Sequence, residues 1–136
     1  DVLMVTTGIM LQRALAAADL LAAQGVRAGI LHMHTVKPLD TEALLQAIRG
    51  IKLVATLEEH VPSGGLGSAV AETLIDKLGA GLPAMLRLSL PDSFMHNYGS
   101  QDSLLKKHGL SAGAIAASIE RALAASHTAS PQLHST

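Results

Sequence analysis

The sequence contains no cysteine and no tryptophan, and a single phenylalanine and a single tyrosine, Phe94 and Tyr98, carry all of its aromatic content. Without cysteine there are no disulfides, no thiolate nucleophile, and no cysteine-ligated zinc or iron–sulfur cluster. The absence does not fix a redox compartment, and the default expectation is the cytoplasm. Scarce aromatics in a chain that is 49% hydrophobic require a core of Ala, Leu, Ile and Val on closely packed helices and strands. Charge of one sign is also lacking. Lys and Arg number 10 against 11 Asp and Glu, a net charge of -1, so there is no electrostatic footprint for nucleic acid or for an anionic membrane surface. Neither partner is expected. No long hydrophobic run exists either: the opening Asp1-Val2-Leu3-Met4-Val5-Thr6-Thr7 has no basic leader and is too short to cross a bilayer, so it reads as a strand.

What is present is alternation of strand and helix. At 136 residues the chain has room for one domain with a real core and too little for two ordinary ones. Val2 to Thr6 is a continuous apolar run halted by Gly8, the pattern of a strand buried on both faces. From Ile9 to Gln24, residues Leu11, Ala14, Leu15, Ala18 and Leu21 keep helical spacing, and Gly25 supplies a stop. Val26 to Met33 predicts a second strand. Lys37-Pro38 breaks regular structure, Asp40 can cap a helix bearing Leu44, Ala47 and Ile48, and Lys52 to Leu57 predicts a third strand. A helix from Leu66 to Leu78 sets Val70, Leu74 and Leu78 opposite Glu72 and Asp76, and Ala84 to Leu90 predicts a fourth strand. A loop runs from Pro91 to Gly99. Ser100 and Ser111 are suited to cap a short helix and a terminal one carrying Ile115, Ile119 and Leu123. The domain is thus expected over residues 1–125, with 126–136, rich in Ser and Thr and without apolar periodicity, as a disordered tail.

Such alternation implies right-handed crossovers and a three-layer α/β/α domain around a mainly parallel sheet of about four strands. The expected order is 2-1-3-4. A chain that begins directly inside a core strand reads as a fragment, a subunit, or a domain of a longer polypeptide. In that order the sheet switches direction between the first and third strands, so Thr7-Gly8 and Glu58 to Gly67 should flank a crevice where ligands meet open α/β sheets. The candidate crevice residues are Gly8, Glu58, Glu59, His60, Gly64, Gly65 and Gly67.

Gly64-Gly65-Leu66-Gly67 at a helix start leaves free backbone N–H groups and a positive helix end, a setting for phosphate or carboxylate. It lacks both the dinucleotide fingerprint and the phosphate-loop lysine, and close packing of loop on sheet uses glycines equally well. Glu58 and Glu59 are adjacent and should point to opposite faces, so they cannot act together on one ligand. A general acid or base would need burial and a partner. The favoured reading is that a carboxylate caps the glycine-rich turn or pairs across a subunit interface. His32 and His34 share one face, but no third ligand has convincing spacing, so no metal site is expected. Ser63 is not a nucleophile elbow, because Val61 stands where the first glycine of G-x-S-x-G belongs.

Three stretches in this order carry a family resemblance: Met33-His34-Thr35-Val36-Lys37-Pro38-Leu39-Asp40; Glu58-Glu59-His60 with Gly64-Gly65-Leu66-Gly67-Ser68-Ala69-Val70-Ala71-Glu72; and Leu90-Pro91-Asp92-Ser93-Phe94. Tyr98-Gly99-Ser100, Leu104-Leu105 and Gly109-Leu110-Ser111 continue it. Together they resemble the C-terminal domains of transketolases, including the split, two-subunit form. Deoxyxylulose-phosphate synthases and the beta subunits of 2-oxo-acid dehydrogenases share the outline, and Pro62-Ser63 departs from the usual wording of the loop. The resemblance implies a domain of a thiamine diphosphate enzyme that transfers two-carbon ketol units, with a role in assembly, structure or regulation. It implies no catalytic residue, no cofactor-binding residue and no metal ligand here. In the family, thiamine diphosphate and a divalent metal such as Mg2+ are held by other domains, so the implied partners are those domains or a subunit bearing them, in a homo-oligomer. The family's extra antiparallel edge strand is expected to be absent. The alternatives are the corresponding domain of a deoxyxylulose-phosphate synthase or dehydrogenase beta subunit, or a binding module for an anion or other small molecule.

Overall fold

The computed structural model describes residues 1–93 and 99–128. Four strands, β1 (Val2–Thr6), β2 (Ala28–His32), β3 (Leu53–Leu57) and β4 (Ala84–Leu88), form one sheet in the order β2-β1-β3-β4. All three pairings are parallel, with Val2 opposite both Ala28 and Leu53, and Leu53 opposite Ala84. The central strands are buried along their whole length, whereas the edge strands are only partly covered. That difference is what a continuous apolar run encodes, since a central parallel strand must be apolar on both faces.

Among the described residues five α-helices cover the sheet: α1 (Met10–Ala23), α2 (Thr41–Ala47), α3 (Leu66–Leu78), α4 (Gln101–Lys107) and α5 (Ala112–Thr128), with a short 3-10 turn at Gly79–Gly81. Side chains alternate across each strand, so the core divides in two. On one face Val2, Met4, Leu53, Ala55 and Leu57 pack against α1 and α5 through Met10, Ala14, Ala17, Leu21, Ile115 and Ile119. On the other, Leu3, Val5 and Val54 meet α2 and α3 through Leu44, Leu66, Val70 and Leu74. Small residues do the work that aromatics do elsewhere: Ala14 and Ala17 are fully buried on α1, which lets that helix lie close to its neighbours.

The three expected caps form. Asp40 Oδ1 accepts from Ala43 N at 3.0 Å, Ser100 Oγ from Ser103 N at 3.2 Å, and Ser111 Oγ from Ala114 N at 3.3 Å. Each satisfies a donor that the first turn of a helix cannot.

Boundaries differ from the sequence expectation where ordinary hydrogen bonds outrun apolar pattern. β2 begins at Ala28, because Val26 N is used to close α1 on Leu21 O at 2.9 Å. β4 ends at Leu88, although Leu90 N still donates to His60 O at 2.9 Å and prolongs the pairing. α5 runs on to Thr128, past the boundary expected at 125, and Ser126 Oγ donates back to Leu123 O at 2.8 Å in that last stretch. Helical hydrogen bonds propagate at little cost once the helix is nucleated. Residues 129–136 of the expected tail, and the part of the expected loop at 94–98, lie outside the described residues. Among the described residues no helix is long and apolar enough to cross a membrane.

Ile119 is fully buried in the cluster shared by β1, β3, α1 and α5. Replacing it with alanine is expected to destabilise the fold by about 2–5 kcal/mol in urea denaturation. Leu15→Ala, at a site 48% exposed, is expected to stay within about 0.5 kcal/mol of the parent.

A buried carboxylate at the start of helix α3

β3 does not end its pairing at Leu57. Glu58 N donates to Leu88 O at 3.1 Å, which holds the following residues in extended conformation beside β4. Alternation then sends Glu58 toward the α3 side, where it is 1% exposed, and leaves Glu59 exposed. The expected divergence of the two carboxylates is what the structure shows.

Glu58 caps α3 from a distance. Gly65 occupies the N-cap position and offers no side chain to the helix. Instead Leu66 N donates to Glu58 Oε2 at 2.7 Å and Gly67 N to Glu58 Oε1 at 2.8 Å. One carboxylate thus takes two of the helix's four orphan donors, and its charge lies at the positive end of the helix dipole. Those contacts satisfy a carboxyl group that is otherwise cut off from solvent. His60 Nδ1 lies 4.0 Å from Glu58 Oε2 and donates to Val61 O at 2.8 Å.

The glycines follow from this carboxylate. A Cβ on Gly65 would lie 2.8 Å from His60 Nδ1 and 2.9 Å from Glu58 Cδ, and would overlap Glu58 Oε2. A Cβ on Gly67 would lie 2.9 Å from Glu58 Oε1 and Thr56 Oγ1, and 2.7 Å from Arg87 Nε. Gly64 has a different reason, a φ of +75°, which L side chains rarely adopt.

A second set of contacts fixes the loop ahead of the helix. Ser68 Oγ accepts from Gly64 N and from Arg87 Nη2, both at 3.0 Å, and donates to Pro62 O at 3.1 Å, while Arg87 also donates to Pro62 O. Arg87 was not among the candidates read from sequence. Its signal was there, the one charged residue in the largely apolar run from Ala84 to Leu90. Glu59 accepts from Gln101 Nε2 at 2.9 and 3.0 Å, tying the loop to α4.

Of the candidate crevice residues, Glu58, His60, Gly64, Gly65 and Gly67 gather at the start of α3. Glu59 turns away toward α4. Gly8 sits exposed at the end of β1 with a φ of +56° and takes no part in the hydrogen bonds just described. Two of the N–H groups at this helix start, Leu66 N and Gly67 N, are therefore occupied by the chain's own carboxylate, and an external anion bound to those two would have to displace it. His32 and His34 are engaged locally: Thr6 Oγ1 lies 2.9 Å from His32 Nδ1, and Thr35 Oγ1 lies 2.8 Å from His34 Nδ1.

Glu58→Ala is expected to cost about 2–4 kcal/mol in urea denaturation, because two buried N–H groups lose their acceptor. Glu58→Gln keeps one acceptor oxygen and should fall between the parent and the alanine variant. Equal stability of parent and Glu58→Ala would contradict the capping role. Gly67→Ala should destabilise despite the higher helix propensity of alanine, since its methyl meets three polar groups at once.

Comparisons with known proteins agree with this geometry. Residues 1–115 match the family model for the transketolase C-terminal domain. A 1-deoxy-D-xylulose-5-phosphate synthase of Geobacter sulfurreducens is 41% identical over 133 residues, which make up 98% of this chain and 21% of that protein. A transketolase family protein of Sinorhizobium fredii is 41% identical over 122 residues, 88% of this chain and 34% of the relative. Among solved structures, a split gene transketolase in an inactive β4 tetramer superposes with a TM-score of 0.81 at 38% identity, covering 91% of this chain and 39% of that one. A transketolase from Pichia stipitis, at 15% identity and a TM-score of 0.66 over 94% of this chain and 17% of its own, shares the fold. The chain spans about a fifth to a third of the length of the curated relatives it matches. With the four-stranded parallel sheet and the matching family model, the chain belongs to the transketolase C-terminal domain family.

Proposed function

We propose that this chain is the C-terminal domain of a transketolase-type enzyme that transfers a two-carbon ketol unit with thiamine diphosphate, and that its part is assembly and stability. The observation that carries the non-catalytic role is the Glu58 carboxylate seated on Leu66 N and Gly67 N. In a parallel α/β domain the start of such a helix is the natural seat for a phosphate. Here the seat holds a buried negative charge, which would repel a diphosphate placed beside it. The residues present therefore do not fit the cofactor at this point. Thiamine diphosphate and a divalent metal such as Mg2+ belong, on this reading, to other domains or to a partner subunit of the same enzyme. The cofactor supplies the electron sink for carbon–carbon bond chemistry when bound there.

Support for an assembly role comes from the solved split gene transketolase, whose similar chain was found as a β4 tetramer. A homo-oligomeric enzyme is the corresponding expectation for this protein. The glycine-rich loop, locked by Arg87, Ser68 and Glu58, would then present a fixed surface to its neighbours.

A second reading rests on the 41% identity to the Geobacter synthase over nearly the whole chain. On that reading the assembled enzyme forms 1-deoxy-D-xylulose 5-phosphate. Product analysis separates the two once the chain is joined to the domains that hold the cofactor.

The isolated chain, supplied with thiamine diphosphate and Mg2+, is expected to show no ketol transfer. Turnover by the pure chain would sink the proposal. In the assembled enzyme, Glu58→Gln should lower thermal stability and subunit association more than it lowers the rate per assembled site, measured after separating assembled from free chains.

A further inference from the structure

A groove lies at the opposite end of the sheet from Glu58. It is formed where α2 and α3 end and the chain re-enters the sheet, just before β3 and β4, and it has a cavity volume of about 630 Å³. Its walls are apolar: Leu45, Ile48, Ile51, Leu78 and Leu82 line it, together with Pro83. Leu82 remains 39% exposed. The charged lining residues are Arg49 and Lys77, both exposed, and no acidic residue lines the groove. Neither cation takes part in an ion pair among the described residues.

We propose that this groove binds a small amphiphilic anion, an aliphatic body of medium length ending in a carboxylate. The volume is ample for such a ligand and falls within the range of small-molecule sites, about 300 to 1,000 Å³. An apolar body would cover the leucine and isoleucine walls, and the head group would meet Arg49 and Lys77 at the rim. A neutral apolar molecule would use only the walls. The cations also stand near the C-terminal ends of α2 and α3, where positive charge complements the helix dipoles. That service accounts for their sign without requiring the apolar walls beneath them, so the two explanations predict different behaviour on titration. The inference is independent of the reading given to Glu58.

Octanoate serves as the probe, with octanol and octylamine as neutral and cationic counterparts, followed by amide shifts in the NMR spectrum of the 136-residue chain. Saturable binding of octanoate is expected, with shifts clustered at Gly50, Ile51, Gly81 and Leu82, and with weaker binding of octanol and weakest of octylamine. The double variant Arg49→Gln and Lys77→Gln should weaken octanoate about tenfold and leave octanol unchanged, the scale expected for losing two solvent-exposed charge contacts. Leu82→Ser, at an exposed site that should not disturb folding, should weaken both. Shifts that rise linearly without saturation, equal affinity for octanoate and octanol, or unchanged octanoate binding in the double variant would overturn the proposal. So would shifts at the same residues that depend on protein concentration alone, which would make a second copy of the chain the occupant.

Discussion

The arrangement around β3 depends on one contact, the Glu58 carboxylate against the first backbone N–H groups of α3. A helix that starts over a sheet has donors with nowhere to go, and a residue such as Gly65 at the N-cap position cannot supply an acceptor from its own side chain. The strand supplies one instead. Because Glu58 follows β3 directly, the same residue fixes how far the strand extends, where α3 begins and how deep the intervening loop lies. Gly65 and Gly67 are then obligatory, since any side chain there would fall on the carboxylate or on its neighbours. The loop is held again from outside by Arg87 and Ser68. A buried charge satisfied in this way makes alternative loop conformations costly, because any of them would strand it without partners.

That constraint also explains how a loop in the position of an active site can be structural. Open parallel sheets gather ligands at the ends of their strands, and this sheet has the right order for it. The physical requirement for anion binding at α3 is a set of free N–H groups, and Glu58 occupies two of them, Leu66 N and Gly67 N. The chain belongs to the transketolase C-terminal domain family and spans about a fifth of the length of its Geobacter relative.

With hardly any aromatic residues, the core is made by close approach. Ala14 and Ala17 bring α1 against the sheet and α5. Small residues gain less from burial one by one than large ones do, but they permit dense packing between regular elements. The cost is that coverage thins at the edges. β2 and β4 are only half buried, and the groove below α2 and α3 leaves leucines in contact with solvent.

Much of this was written in local pattern. Continuous apolar runs identified β1 and β3 as central strands, helical spacing placed α1 and α3, and Asp40, Ser100 and Ser111 marked helix starts, because each signal acts over a few residues of neighbouring chain. The divergence of Glu58 and Glu59 was legible for the same reason, since it follows from the alternation of a strand. What the sequence could not determine was which carboxylate faced inward and what it would meet there. That depended on the register of β3 against β4, on the depth at which α3 docks, and on Arg87 arriving from a strand more than twenty residues away. Gly8 lies at the end of β1, where Thr7 N still donates to Leu57 O at 3.4 Å, but its own φ of +56° belongs to a separate turn that the sheet order alone does not describe. Local chemistry set the elements, and only long-range packing decided that a turn fit for a phosphate would be filled by the protein's own glutamate.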